Sequence, residues 1–254
     1  MKRLGLISIA ALFLLLGNTA PADAQPGQGQ DRKQEKHGRD KKQHGKPESQ
    51  QQPQRLSQQE QEQRIELQHR NLTVYRQNLD QRIRLAPQQT AQLQQKRPAQ
   101  YGFQQDYYRR LRQQQLRLQN ERSYNYSNDP YYYTGWTHRY NRGGTSYQTN
   151  QYGAELLRHA VNNGYQEGFR GGQADRRDRW RSNYQDSYAY QDANYGYNGR
   201  YVQQDEYNYY FRQGFSRGYE DGFNSRSQYG SYSNGKYSML SAILGGILNL
   251  ESLR

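Results

Sequence analysis

A mainly α-helical fold with little or no β-structure is what this sequence predicts, on three observations. Apolar residues recur at helical spacing through two Gln- and Arg-rich stretches that lie on either side of Pro87 and Pro98. Two further segments, 164–172 and 214–223, lie fifty positions apart and carry the same three glycines at four-residue steps, most of them followed by an aromatic residue. The stretches between these segments are rich in Tyr, Gly, Asn and Ser and show no clean period, so they read as loops.

At the start of the chain Met1-Lys2-Arg3 is positive, 4–16 is apolar, and 18–24 is small and polar, with Ala22-Asp23-Ala24 in the form of a cleavage site. This predicts a secretory signal peptide over 1–24, cut between Ala24 and Gln25, with a cut after Ala22 as the alternative. Residues 25–54 contain no Val, Ile, Leu or aromatic residue. A segment of that composition buries too little apolar surface to offset its ordering entropy, so a disordered basic arm is expected. Its cations Arg32, Lys33, Lys36, Arg39, Lys41, Lys42 and Lys46 are candidate contacts for an anionic envelope polymer or a membrane surface, and equally form a solvated spacer.

Ser57-Gln58-Gln59-Glu60 has the form of a capping box, which starts a helix near Gln58. Ile65, Leu72, Tyr75, Leu79 and Ile83 give it one apolar stripe, and Pro87 is expected to end it. A short helical piece over 90–96 and a second long helix over 99–121 follow, the latter with Phe103, Tyr107, Leu111 and Leu118 as its stripe. Residues 55–122 thus predict a helical hairpin or coiled-coil pair. Residues 123–150 read as a Tyr-rich loop with short extended pieces. Its Tyr131, Tyr132, Tyr133, Trp136 and Tyr140 either cover the helices or form an aromatic platform for sugars or bases.

Residues 151–226 hold the tandem repeat, with helices expected over 151–181 and 204–226. On a helix, Gly164, Gly168 and Gly172 fall on one narrow strip, and Gly214, Gly218 and Gly222 on another. Tyr165 and Phe169, or Phe215, Tyr219 and Phe223, then form an aromatic ridge about 100° around the helix. Three interior glycines would cost roughly 3 kcal/mol of helix propensity, so a close approach of another backbone is expected to compensate. Gly171 lies off the strip. Glu220 and Asp221 read as a solvated acidic pair. Residues 227–254 read as a linker followed by a short apolar helix of Met239, Leu240, Ile243, Leu244, Ile247, Leu248 and Leu250. That helix docks on the glycine pair, forms an oligomer contact or lies on a membrane surface; it is too short to span one.

Charge divides the chain: residues 25–122 carry 20 basic against 10 acidic side chains, whereas 123–254 carry 14 against 12. There is no cysteine, which excludes disulfides and thiolate chemistry. Serine-nucleophile, zinc-protease and phosphate-loop motifs are absent. Glu155 and His159 stand at i and i+4 without a third ligand, so no metal, cofactor or catalytic residue is assigned.

The stretches NNGYQEGFRGGQADRRDRW, YAYQDANYGYNG and YNYYFRQGFSRGYEDGF, within 152–229, resemble a group of uncharacterised exported soil-bacterial proteins with glycine/tyrosine helical repeats. The resemblance covers roughly the C-terminal half and implies export and a helical repeat, with no activity, cofactor or catalytic residue. The expected function is that of an exported, non-enzymatic periplasmic, envelope or extracellular protein acting in structure, self-association as a homo-oligomer, or docking of an envelope partner. The alternative is a polyanion- or polysaccharide-binding protein that uses the basic half and the Tyr/Trp loops.

Overall fold

The computed structural model describes residues 55–121 and 123–253. The predicted signal peptide, its cleavage point at Ala24 and Gln25, and the basic arm from Arg32 to Lys46 lie outside the described residues. Among the described residues the protein is mainly helical, with short strands.

Helix α1 spans Gln58–Ala91. Its start is closed by the Ser57/Glu60 capping box, in which Ser57 N–H donates to Glu60 Oε2 at 2.9 Å. Leu72, Tyr75, Leu79 and Ile83 form its buried face. The helix does not stop at Pro87, as the sequence suggests, but runs one turn further. Pro87 lies on the exposed side, and the turn beyond it is held from outside. Thr90 Oγ1 donates to Ala86 O and accepts from Gln105, while Tyr108 OH donates to Gln89. Tertiary contacts here override a local breaker. After α2 (Leu93–Lys96), α3 spans Pro98–Asn120 with its proline in the first turn, where a missing N–H costs nothing. Pairs such as Arg76 with Leu118 O and Tyr108 with Gln89 show that α1 and α3 run antiparallel.

The stretch 123–150 is more ordered than a loop. Helix α4 (Pro130–Tyr133) is capped by Asp129. Strands β1 (His138–Arg142) and β2 (Thr145–Thr149) form a hairpin, with Tyr140 opposite Tyr147. Its two-residue turn is Gly143-Gly144, at φ +56° and +82°, the left-handed backbone that such a turn requires. Helix α5 (Gln151–Arg177) begins at buried Asn150, whose Oδ1 accepts from the N–H groups of Tyr152 and Gly153. It ends four residues before the expected limit. A crossover containing α6 (Tyr188–Asp192) leads to α7 (Gln204–Asn224).

Residues 227–237 likewise form structure rather than a linker: β3 (Gly230–Ser233) pairs with β4 (Lys236–Met239). Helix α8 (Ser241–Leu248) follows, with Leu248 buried and Ile243, Leu244 and Ile247 packed half-buried on the main core. The apolar segment therefore docks within the chain. Strand β5 (Glu251–Ser252) joins the first hairpin, giving the order β2-β1-β5. No helix among the described residues is long and apolar enough to cross a membrane.

Candidate ligand cleft and the helix pair that frames it

The glycine strips of α5 and α7 lie against one another. Opposite Gly164, Gly168 and Gly172 stand the backbone carbonyls of Phe211, Phe215 and Tyr219. Opposite Gly214, Gly218 and Gly222 stand those of Val161, Tyr165 and Phe169. Both series ascend together, so the helices are parallel, and each contact maps onto its reciprocal under the fifty-residue offset. A Cβ at any of the six would fall 1.9–2.2 Å from a carbonyl oxygen, so these positions have no room for a side chain. The close approach places Cα–H groups towards carbonyls, the arrangement of weak C–H···O contacts.

The aromatic residues continue outward from this seam. Phe211, Phe215, Tyr219 and Phe223 stack in sequence with centroids 6.2, 6.5 and 6.0 Å apart. Tyr165 lies 6.4 Å from Phe169, which stacks on Tyr237 of β4 at 3.9 Å. Off-strip Gly171 also lacks free space: a Cβ there would meet the rings of Phe103 and Phe215 at 3.3 and 3.4 Å.

Buried carboxylates anchor the pair. Asp221 is fully buried, which corrects the reading of Glu220-Asp221 as a solvated pair. It accepts from Tyr165 OH at 2.7 Å and from the N–H groups of Gln228 and Tyr229 at 2.9 Å. The chain leaving α7 folds back over the helix, and its N–H groups need this acceptor. Asp175 accepts from Tyr219 OH at 2.7 Å and pairs with Arg97; Glu167 pairs with Arg110 and Arg170. Burial raises the Asp175 and Glu167 carboxyls above their ordinary values despite these cations.

A cleft of about 320 Å³ opens between α1, the first hairpin and the N-terminus of α7. Gln68, Tyr131, Tyr140, Thr149, Val202 and Glu206 form its buried floor. Of the five candidate platform aromatics, Tyr131, Tyr132 and Tyr140 are buried, whereas Trp136 is 37% exposed in the cleft wall. The Arg64 guanidinium lies 3.5 Å from the Trp136 ring centroid and donates to the carbonyls of Tyr131 and Thr134, both at 2.9 Å. On the other side Arg142 pairs with Asp205 at 2.9 Å and lies over Tyr147. Tyr140 OH donates to Glu206 Oε1 at 2.7 Å, and the Gln203 N–H lies 3.4 Å from Glu206 Oε2. Burial raises the Glu206 carboxyl, and its work is to hold the hairpin to the start of α7.

Tyr201 closes the cleft with a left-handed backbone, φ +73°. Val202 N–H donates to Arg200 O at 3.0 Å, so Tyr201 is the centre of a γ-turn with positive φ, a rare and strained conformation for a side-chain-bearing residue. Its ring lies 4.8 Å from Tyr131, whose hydroxyl donates to Tyr201 O. Sequence reasoning singled out Trp136 but did not assign Arg64, Tyr201 or Asp205 to this place, because α1, 130–149 and 200–206 meet only in the folded chain.

Glu155 and His159, at 3.3 Å, form an exposed pair that also takes Arg158, and no cluster of three metal-ligating side chains occurs among the described residues. Comparison with protein-family models, with curated proteins and with solved structures finds no match, so the site is interpreted from its own geometry.

Proposed function

We propose that this chain is an exported, non-enzymatic protein of the cell envelope or exterior that works by docking onto an envelope partner or polymer. The export signal and the glycine/tyrosine repeat shared with the exported proteins it resembles support the compartment. One structural observation shapes the mode of action: all six strip glycines face backbone of the same chain. That seam has no face left for a second copy, so docking falls to the outer surface, where the cleft around Trp136 offers an aromatic wall. In this reading the arm from Arg32 to Lys46 adds a salt-sensitive attraction to anionic polymer, and the cleft carries selectivity.

The test is co-sedimentation of the mature chain, beginning at Gln25, with isolated envelope fractions across a salt series. Retention is expected, and deletion of 25–54 should flatten its salt dependence, because fewer counterions are released on binding. A mature chain that no envelope fraction retains at any salt concentration would refute the docking role.

A further inference from the structure

We propose that the cleft binds an uncharged, hydroxyl-rich ligand, a short segment of neutral glycan, with one sugar ring stacked on Trp136. The inference rests on the docking role above and supplies it with a site and a ligand class.

Trp136 is the exposed aromatic residue of a wall whose other rings are buried or half-buried. Its indole is fixed in advance. Arg64 covers one face at 3.5 Å and is itself pinned by the Tyr131 and Thr134 carbonyls. Trp136 keeps 37% of its surface exposed, and a ring already held by Arg64 loses little entropy when a ligand stacks on it. The flat C–H face of a pyranose suits such a surface.

Charge selects against the alternatives. Arg142 is engaged by Asp205, and Arg64 by carbonyls and indole, while Asp205 and Glu206 bring two carboxylates to the same cleft. Both cations among the described residues lining the cleft are engaged, so an anion there would meet Asp205, whose side chain is 62% exposed, without a free counter-charge. A wholly apolar ligand would strip water from the amides of Asn71, Gln148 and Gln203 at the walls and rim without replacing it. Hydroxyl groups satisfy amides of both polarities. The volume, about 320 Å³, is at the small end of the roughly 300–1,000 Å³ typical of ligand sites, which limits the occupant to a short glycan segment. The strained Tyr201 turn holds one wall in place, and such strain is retained where surrounding contacts impose a shape.

The experiment uses the full mature chain in native gels cast with soluble neutral glucan, xylan or galactan, with dextran sulfate and a single-stranded oligonucleotide as competing chemistries. Trp180→Phe leaves Trp136 as the sole indole of the two in the chain, so its fluorescence reports on the cleft. At least one neutral polysaccharide should retard the protein and shift this fluorescence saturably, with reversal by the matching free sugar. Trp136→Ala should weaken retardation by about tenfold, equivalent to ~1.4 kcal/mol. Trp136→Phe, which keeps a ring beneath Arg64, should retain most of it and guards against an unfolded Ala variant. Equal retardation of wild type and Trp136→Ala, or binding of dextran sulfate or oligonucleotide alone, would overturn the inference. If the mature chain still co-sediments with envelope in that case, the docking role stands without this site; if it does not, both fall.

Discussion

The two long helix pairs solve the same problem by opposite means. In α5 and α7 the contact is backbone against backbone: six glycines remove the side chains, and each faces a carbonyl of the partner. Between α1 and α3 the apolar stripes are thin and side chains make the contact, with Gln105 donating to Thr90, Gln114 to Tyr75 and Gln115 to Asp80, while other polar bonds reach the crossover. Gln114 donates to the carbonyls of Asn194 and Tyr197 and accepts from Gly196 N–H; Gln68 donates to Gly199 O and accepts from Tyr201 N–H. These amides serve the crossover between the parallel helices, whose irregular backbone needs partners once buried. Gln68 and Gln114 are thus placed where the crossover between the parallel helices needs amide partners. One pair should tolerate nothing added at its seam, and the other should tolerate backbone defects on its outer face.

The largest expected effect breaks the first half of that contrast. Gly168→Leu and Gly218→Leu should each destabilise by ~3 kcal/mol, at the upper end of overpacking costs, because the obstructing atoms are main-chain and cannot change rotamer. The gain in helix propensity, nearly ~1 kcal/mol, acts in the opposite direction and would dominate if the strip faced solvent. Thermal melts read the sign directly. A higher melting temperature in both variants would mean that the seam is not packed. Gly171 is no control for this experiment, since Phe103 and Phe215 occupy its surroundings.

How much of this was legible in the sequence depends on the range of each signal. The capping box, the apolar stripe of α1 and the two glycine strips are local and periodic, and they mark α1, α5 and α7 in the sequence. Beyond the short extended pieces expected in 123–150, the hairpins do not stand out in the sequence, although Gly143-Gly144 and Asn234-Gly235 are two-residue turn signals with φ of +49° to +82°. Their flanks, such as His138–Arg142, lack the apolar alternation that identifies a strand. The burial of Asp221, Asp175 and Glu167 was invisible because acidic residues on a helix read as solvated. Their partners, Tyr165, Arg97 and Arg110, lie more than fifty residues away in sequence. The cleft was only partly visible: Trp136 stood out, but the clamp of Arg64 and the turn at Tyr201 exist only in the assembled fold.

Two intermediate effects sharpen the second half of the contrast, and both are stabilising. Pro87 is exposed within α1, where it removes a hydrogen bond and crowds the preceding turn. Pro87→Ala should raise stability by ~1–2 kcal/mol, less than the full ~3 kcal/mol proline penalty because contacts from α3 already hold the last turn. Gly102 lies on the exposed face of α3 with nothing within 4 Å of a Cβ, so Gly102→Ala should add about 1 kcal/mol. Chemical denaturation of both variants measures the difference. A loss of stability in Gly102→Ala would show that the outer face of α3 is as constrained as the glycine seam.

The smallest effect concerns what titrates. The amides joining α1 and α3 to the crossover carry no charge at any pH, whereas α5 and α7 bury Glu167, Asp175 and Glu206, each with its carboxyl raised by burial. A carboxyl whose folded value exceeds its unfolded value binds protons more readily in the native state. Its contribution to stability is full below the unfolded value and is lost as pH rises through the folded one. Acidification from neutrality towards about pH 5 should therefore raise the melting temperature. Below the ordinary carboxylate values, near ~4, the trend should reverse. Glu60 contributes there in the opposite sense, because its bonds to Ser57 hold its carboxyl low and are lost on protonation. Glu206→Gln keeps an acceptor for Tyr140 OH but does not titrate, so it should flatten the rise between pH 7 and 5 without abolishing it, since Glu167 and Asp175 remain. A wild-type melting temperature that falls steadily from pH 7 to 5 would show that the arginines at Glu167 and Asp175 outweigh burial, and that ion pairs hold α5 to α3.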